Sequence, residues 1–245
     1  MHSGSGAAGV RDTTPGGPGS PDREAEMLVL AVHGSAVPQA SAVIGRLARS
    51  LGVPVAVGHL DIQRPRLAEV LARHPGAVVV PLLLGDGYHR RVGIPATARR
   101  FGCTVTPGLA GEPGVARAVH RRLLAAGGPG DAVVVAGAGS SRPSGNDGTR
   151  AVVRQLSAAH PDIPVLDAYC SAASPTVPER VEQLGRAGYR RVCVATHLLA
   201  PGRFTRALEA TPGVTAVSAP LADDPVIARL VLSRYESARR DAYAC

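Results

Sequence analysis

Apolar and polar residues alternate along this chain in a pattern that predicts short strands separated by helices. Strand-length apolar runs occur in the first half at MLVLAVH, VPVAVGHLD, AVVVPLLL and CTVTPGL. Between them, segments such as ASAVIGRLARSL and RPRLAEVLARH place apolar residues at helical spacing. Because parallel strands need crossover connections, this alternation predicts an α/β fold built on parallel sheets with helices on both faces.

The same pattern begins again near residue 131, which indicates an internal duplication. VVVAGAGSS resembles LVLAVHGSA and aligns Ala138 with His33, whereas VLDAYCSAASPTVPERVEQL resembles VAVGHLDIQRPRLAEVL and aligns Pro175 with Pro65. A third match joins VATHLLAPGRF to VPLLLGDGYH. The duplication predicts two lobes of the same architecture.

The domain organisation follows from this repeat and from composition. Residues 1–26 are rich in Gly, Pro and Ser, lack the features of a secretory signal and predict a disordered lead. A first lobe is expected at 27–127 and a second at 128–245. Since no apolar run approaches the roughly 20 residues of a membrane helix, we expect no membrane partner.

The charge balance favours a small anionic ligand. The formal net charge is +8, and the 27 basic residues are all Arg, but they are dispersed along the chain. Two Phe and no Trp leave little on which nucleic acid bases could stack, so we expect no nucleic acid partner. The cysteines fall in no CxxC spacing, which predicts reduced thiols in a cytoplasmic protein and disfavours a cysteine-ligated metal site. They are Cys103, Cys170, Cys193 and Cys245.

Candidate chemistry lies just beyond three predicted strands, at His33, Asp61 and His89. The carboxyl ends of parallel strands meet at one edge of a sheet, so these side chains could converge on a divalent cation. Imidazole is a good ligand for Fe(II), Co(II), Ni(II) and Zn(II), and it exchanges protons near neutral pH. We predict a metal site in which both histidines are also catalytic.

The second repeat supplies an internal comparison for this site. Its three equivalent positions hold Ala138, Ser171 and Phe204, although the Gly, Ser and Pro scaffold is kept. Loss of all three together indicates that they work as a set. Asp61 is the weakest member, because a strand can simply end in a solvated Asp, and His59 is its natural substitute.

The other histidines are expected at a strand end or at the surface. His197 aligns with a leucine and is expected to be a strand-end residue. His74, His120 and His160 lie in or at the ends of predicted helices and are expected at the surface. The arginines next to the proposed ligands could either form a solvated surface or bind carboxylates.

These residues resemble the class II tetrapyrrole chelatases of the sirohydrochlorin ferrochelatase and cobaltochelatase group, often called CbiX-type. The resemblance rests on H-G-S after the first strand, a carboxylate four residues before a helix-opening Pro, and P-L-x-L-x-x-G-x-H followed by I-P. It covers residues 27 to about 236 and matches the long, two-repeat form. The sequence departs from the family pattern at Ala36, at Asp61, where Glu is common, and at Gly93.

The resemblance implies two flavodoxin-like lobes and an ATP-independent lyase that inserts Fe(II) or Co(II) into a sirohydrochlorin-like tetrapyrrole for siroheme or cobalamin biosynthesis. The metal is then a substrate, no prosthetic group is expected, and a monomer suffices. One of His33 and His89 would bind the metal and the other would accept pyrrole protons. Either histidine could take either role. The expected substrate-binding residues are Ser35, Arg64, Arg90 and Arg91.

Two other functions stay open at this point. Ala36 and Gly93 are compatible with a non-enzymatic metal- or tetrapyrrole-binding protein that keeps the chelatase fold. A different α/β enzyme could use His33 as a general base on a small anionic substrate.

Overall fold

Two parallel four-stranded sheets form the framework of the protein. A computed structural model describes residues 27–243, and the lead predicted at 1–26 lies outside the described residues. The first sheet has the order β2-β1-β3-β4 and the second the order β6-β5-β7-β8, so both follow the same flavodoxin-like winding. The strands are β1 (Leu28–Val32), β2 (Val55–His59), β3 (Val78–Pro81), β4 (Thr104–Val105), β5 (Ala132–Gly137), β6 (Val165–Tyr169), β7 (Val192–His197) and β8 (Val214–Val217).

Helices connect successive strands, as the parallel pairing requires. A π-helix at His89–Gly93 and a 3-10 helix at Pro143–Asn146 add short turns that the apolar periodicity does not indicate. Within the described residues, no helix has the length and apolar character needed to cross a membrane. The α-helices are α1 (Pro38–Ser50), α2 (Leu67–Arg73), α3 (Ile94–Arg99), α4 (Pro113–Ala125), α5 (Asp147–Ala159), α6 (Val177–Arg186), α7 (Arg203–Glu209) and α8 (Pro225–Tyr243).

The central strands are buried on both faces, which is why their sequences are unbroken apolar runs. In β1, Leu28 and Leu30 face a central core, whereas Val29 and Ala31 face an outer layer that contains α2 and α3. The second sheet repeats this arrangement, with its outer layer formed by α6 and α7. The α/β architecture and the duplication predicted from the sequence are thereby confirmed.

The two repeats interlock through their last helices. Helix α4 belongs to the first repeat but packs against β7 and α5, whereas α8 belongs to the second repeat and packs against β3. A single core therefore joins the inner faces of both sheets. The bounds 27–127 and 128–245 remain a division of the sequence, because the packing crosses between them.

The equivalent loops of the two repeats have the same backbone geometry. Gly34 and Gly139 have φ angles of 98° and 90°, in the left-handed region. A Cβ at either position would collide with a carbonyl oxygen, that of Asp61 in the first repeat and of Ser171 in the second. The structure thus supports the alignment on which the comparison of the two repeats depends.

An ion-pair cluster ties α4 to the start of α8. Arg121 donates to both carboxylate oxygens of Asp224 at 2.6 and 2.7 Å, and Asp224 also accepts the Val226 backbone N–H at 2.9 Å. Asp224 is 4% exposed, whereas its neighbour Asp223 is 42% exposed and pairs with Arg122. The buried carboxylate both caps α8 and forms an ion pair with Arg121 on α4, which belongs to the other repeat.

We expect Asp224→Ala to lower the free energy of unfolding by about 2 kcal/mol, because it removes a helix cap and a buried carboxylate paired with Arg121 together. Asp223→Ala is the matched control and should cost less than about 1 kcal/mol, as exposed ion pairs do. Urea unfolding followed by circular dichroism measures both. Equal losses in the two variants would contradict the role given to Asp224.

Candidate functional site

A cavity of about 1120 Å³ lies between the two lobes at the carboxyl ends of their strands. Its volume suits a large organic ligand, and its position is the usual binding site of open parallel sheets. The first lobe contributes the predicted histidines, and the second contributes their replacements. These cavity-lining residues include His33, Ser35, His59, Ile62, Arg64, Tyr88, His89, Arg90, Ala138, Ser171, His197, Leu199, Arg203 and Phe204.

His33 and His89 come together at this cavity. Their ring centroids are 5.5 Å apart and the rings are nearly perpendicular, at 85°. Burial is the main cause that lowers the pKa of His89, and the charge of His33 acts in the same direction. His89 is therefore held in its neutral form, which is the form that binds a metal or accepts a proton.

The π-helix that begins at His89 is held by one carboxylate. Asp86 accepts from Arg90 Nη2 at 2.8 Å and from Arg91 Nε at 3.1 Å. Arg90 lines both the cavity and a separate depression of about 410 Å³, and Arg91 lines only the depression. The two arginines expected to bind substrate carboxylates are thus both paired with Asp86, which fixes the turn that carries His89.

Asp61 lies at the edge of the site and its carboxylate has other partners. Its Oδ1 accepts from the Ile62 backbone N–H at 2.8 Å and from Arg66 at 3.4 Å. These bonds hold the pKa of Asp61 below its usual value. Between residues 27 and 243, no group of three or more His, Cys, Asp or Glu side chains is placed to hold a metal ion. The structure therefore brings the two histidines together without Asp61 as a third ligand.

The charge of Asp61 nevertheless acts on the site, because it raises the pKa of His89 against the larger opposing effects. Its proposed substitute, His59, lines the cavity with Nδ1 placed 3.1 Å from the Pro65 carbonyl oxygen. That contact orients the His59 ring and leaves Nε2 as its other polar atom.

The remaining predicted binding residues lie along the first lobe's rim. Ser35 donates its backbone N–H to Gln63 at 2.9 Å, and its hydroxyl accepts from the Val37 N–H at 3.2 Å. Arg64 forms an ion pair with Glu69, and its side chain is 76% exposed. Both residues line the cavity, Ser35 as part of a tight turn and Arg64 as an exposed rim charge.

Arg203 is a cavity residue that the sequence analysis did not single out. Its guanidinium lies 5.3 Å from the centroid of the Phe204 ring. In the part of the chain that the structure describes, it forms no ion pair with a carboxylate, unlike Arg64 and Arg90. The available signal was its alignment next to the position equivalent to His89.

The two walls of the cavity differ in chemistry. Phe204 occupies the position equivalent to His89, and Ala138 the position equivalent to His33. Leu199 and Ala200 add to the same apolar surface. The first lobe therefore carries a pair of imidazoles at these positions, and the second lobe carries Ala138 and Phe204 at the equivalent ones.

The CbiX family model matches residues 27–126 and 132–238. The chain belongs to the CbiX family. Each match covers one sequence repeat, so the family assignment includes the duplication.

Three solved structures are similar to this CbiX-family chain. SirB from Bacillus subtilis with Fe3+ has a TM-score of 0.68 and 22% identity, over 89% of this chain and 97% of that one. Sirohydrochlorin chelatase SirB from Bacillus subtilis subspecies spizizenii, in complex with cobalt, has the same score and coverage at 18% identity. CbiX, the terminal enzyme for biosynthesis of siroheme in denitrifying bacteria, has a TM-score of 0.61 and 14% identity over 86% and 98%. No curated protein sequence matches this chain significantly.

His197 is a buried histidine at the base of the cavity. Its side chain is 3% exposed, and Nδ1 lies 3.0 Å from the Thr149 hydroxyl. Burial lowers the pKa of His197 to about 4. The ring is therefore neutral near pH 7 and forms part of the polar floor, where the first repeat has Leu82.

This burial makes stability depend on pH. Between about pH 6.5 and pH 4 the unfolded chain binds a proton at His197 that the folded chain does not, so stability is lost as pH falls through this range. We expect His197→Leu with Thr149→Val to reduce this loss by up to about 3 kcal/mol. Urea unfolding of both proteins at several pH values measures the difference.

His74→Leu provides the control, because it replaces a histidine by leucine at the end of α2, away from the cavity floor. An unchanged slope in the double variant would contradict the assignment of this acid sensitivity to His197.

Proposed function

We propose that this chain inserts a divalent metal ion, Fe(II) or Co(II), into sirohydrochlorin or a related polycarboxylate tetrapyrrole. The observation that carries the proposal is the pair of imidazoles, with ring centroids 5.5 Å apart, at a cavity of about 1120 Å³. Membership of the CbiX family and the substrates named for its structural neighbours support the same reaction. The ion is a substrate, and no prosthetic group is required.

The reaction needs groups that release a metal and accept protons. Insertion removes two protons from pyrrole nitrogens and replaces the ion's water with ring nitrogens. In our proposal one imidazole of the pair His33 and His89 binds the incoming ion while the other accepts a pyrrole proton. Imidazole in general can return protons to solvent near neutral pH.

Asp61 acts through its charge in this mechanism. Its carboxylate, oriented by the Ile62 N–H and by Arg66, lies close enough to His89 to favour the protonated imidazole. It therefore assists proton acceptance and attracts the cation without direct coordination. This role differs from the direct ligation expected from the sequence.

The cavity walls suit a flat ring that carries carboxylates. Ile62 and Tyr88 are 54% and 56% exposed at the mouth, where they can cover the apolar face of a macrocycle. Phe204 and Leu199 offer apolar contacts from the second lobe. Arg203 and Arg64 supply positive charge at the rim for the acid groups.

We further propose that the protein acts as a monomer in the cytoplasm. One chain supplies both walls of the cavity, so a partner copy is not needed to complete the site. Cys103, Cys170 and Cys193 are free thiols, as suits a reducing compartment. The absence of a P-loop sequence is consistent with a reaction that uses no ATP.

An insertion assay tests the proposal. Purified protein is mixed with sirohydrochlorin and Fe(II), Co(II) or Ni(II), and metallation is followed by absorbance. We expect His33→Ala and His89→Ala each to reduce kcat/KM by at least about 100-fold, since each removes a general base or a ligand. Asp61→Asn should cost only about tenfold, because it acts through charge.

His74→Ala, in the same lobe but at the end of α2, is the control and should keep the wild-type rate. Wild-type rates in both cavity variants would refute the chelatase mechanism. Tight binding of metal and tetrapyrrole by the wild-type protein with no insertion would instead favour the non-enzymatic binding protein.

A second prediction concerns recognition of the substrate's acid groups. Arg203→Ala should raise KM for the tetrapyrrole about fivefold with kcat nearly unchanged, because it removes a rim charge that binds ground and transition states alike. The rise should shrink as salt is added. Arg206→Ala, an exposed arginine on the same helix, is the matched control. Equal KM values in the two variants would remove Arg203 from the binding site.

A further inference from the structure

Two histidines meet on the seam between the repeats, away from the cavity. His120 lies on α4 and His160 directly follows α5, and both are half-buried. Their Nε2 atoms are 2.8 Å apart, and their rings are nearly perpendicular at 83° with centroids 4.8 Å apart. Neither side chain is among those that line the cavity.

This arrangement places the Nε2 atoms of the two imidazoles next to each other. At 2.8 Å one Nε2 can donate a hydrogen bond to the other, so the two rings differ in whether Nε2 carries the hydrogen. Moving one proton from Nε2 to Nδ1 would present two lone pairs at the same place.

The spacing matches that of two ligands on one ion. Nitrogens bound at right angles to a metal at about 2.1 Å lie about 3 Å apart. The observed separation of 2.8 Å needs only a slight opening to reach this value. Neutral imidazole is preferred by borderline cations over Mg(II) or Ca(II), which select oxygen.

We propose that His120 and His160 form a second metal site, which binds a borderline divalent cation such as Co(II), Ni(II) or Zn(II). Within residues 27–243 no third His, Cys, Asp or Glu joins the pair, so water completes the coordination shell and the ion exchanges readily. Because α4 belongs to the first repeat and α5 to the second, the bound ion cross-links the interlocked repeats. The proposal is independent of the reaction in the cavity.

The test uses the full chain with His33→Ala and His89→Ala, so that the cavity histidines are removed. Co(II) alone is titrated in a calorimeter, and its visible absorption reports nitrogen coordination. We expect one Co(II) per chain, with affinity reduced at least about tenfold by adding either His120→Ala or His160→Asn. Adding His74→Ala instead should leave the affinity unchanged.

Thermal unfolding gives an independent readout. Co(II) should raise the Tm of the doubly substituted protein, because the ion binds only the folded state, and should not raise it once His160 is replaced. Absence of Co(II) binding, or binding that persists in both added variants, would overturn the proposal. Failure of the chelatase function would appear only in the insertion assay with the wild-type protein.

Discussion

The crossed packing of the last helix of each repeat is the constraint on which the rest of the structure depends. Helix α4 completes the layer on the second sheet and α8 the layer on the first, so both sheets share one core. Neither lobe can bury its inner face alone, since the helix that covers it comes from the other repeat. The carboxyl edges of the two sheets are thereby held against each other, and the cavity exists only as a consequence of that arrangement.

Within each lobe, a backbone contact sets the positions of the site loops without using the reactive side chains. The Asp61 N–H donates to the His33 carbonyl at 2.9 Å, and the Ser171 N–H donates to the Ala138 carbonyl at 3.0 Å. The loop geometry therefore persists when the side chains change. This explains how the second repeat kept its scaffold while losing both imidazoles, and why its replaced positions still face the cavity.

Much of the fold could be predicted because buried parallel strands and amphipathic helices leave clear apolar patterns. The histidines could be placed since strand ends share one edge. The direction of the Asp61 carboxylate could not be predicted, because hydrogen bonds to Ile62 and Arg66 decide it. The pairing of Arg90 with Asp86 had a signal in its helical spacing of four residues. The packing of α4 and α8 against the sheet of the other repeat had no signal in the sequence, because an apolar helix face does not specify which sheet will cover it.

The asymmetry of the cavity has a physical rationale in the proposed reaction. An ion inserted into a tetrapyrrole has four in-plane nitrogens and two axial positions. Imidazoles on both walls could occupy both axial positions and hold the product, because Fe(II) and Co(II) bind neutral imidazole well. With Phe204 and Ala138 on the second wall, no imidazole stands there at the positions equivalent to His89 and His33, so in the proposed reaction the metal could leave with the ring. In the proposed reaction, the absence of a second pair of histidines would favour product release, while Phe204 and Leu199 would still offer apolar contacts to the macrocycle.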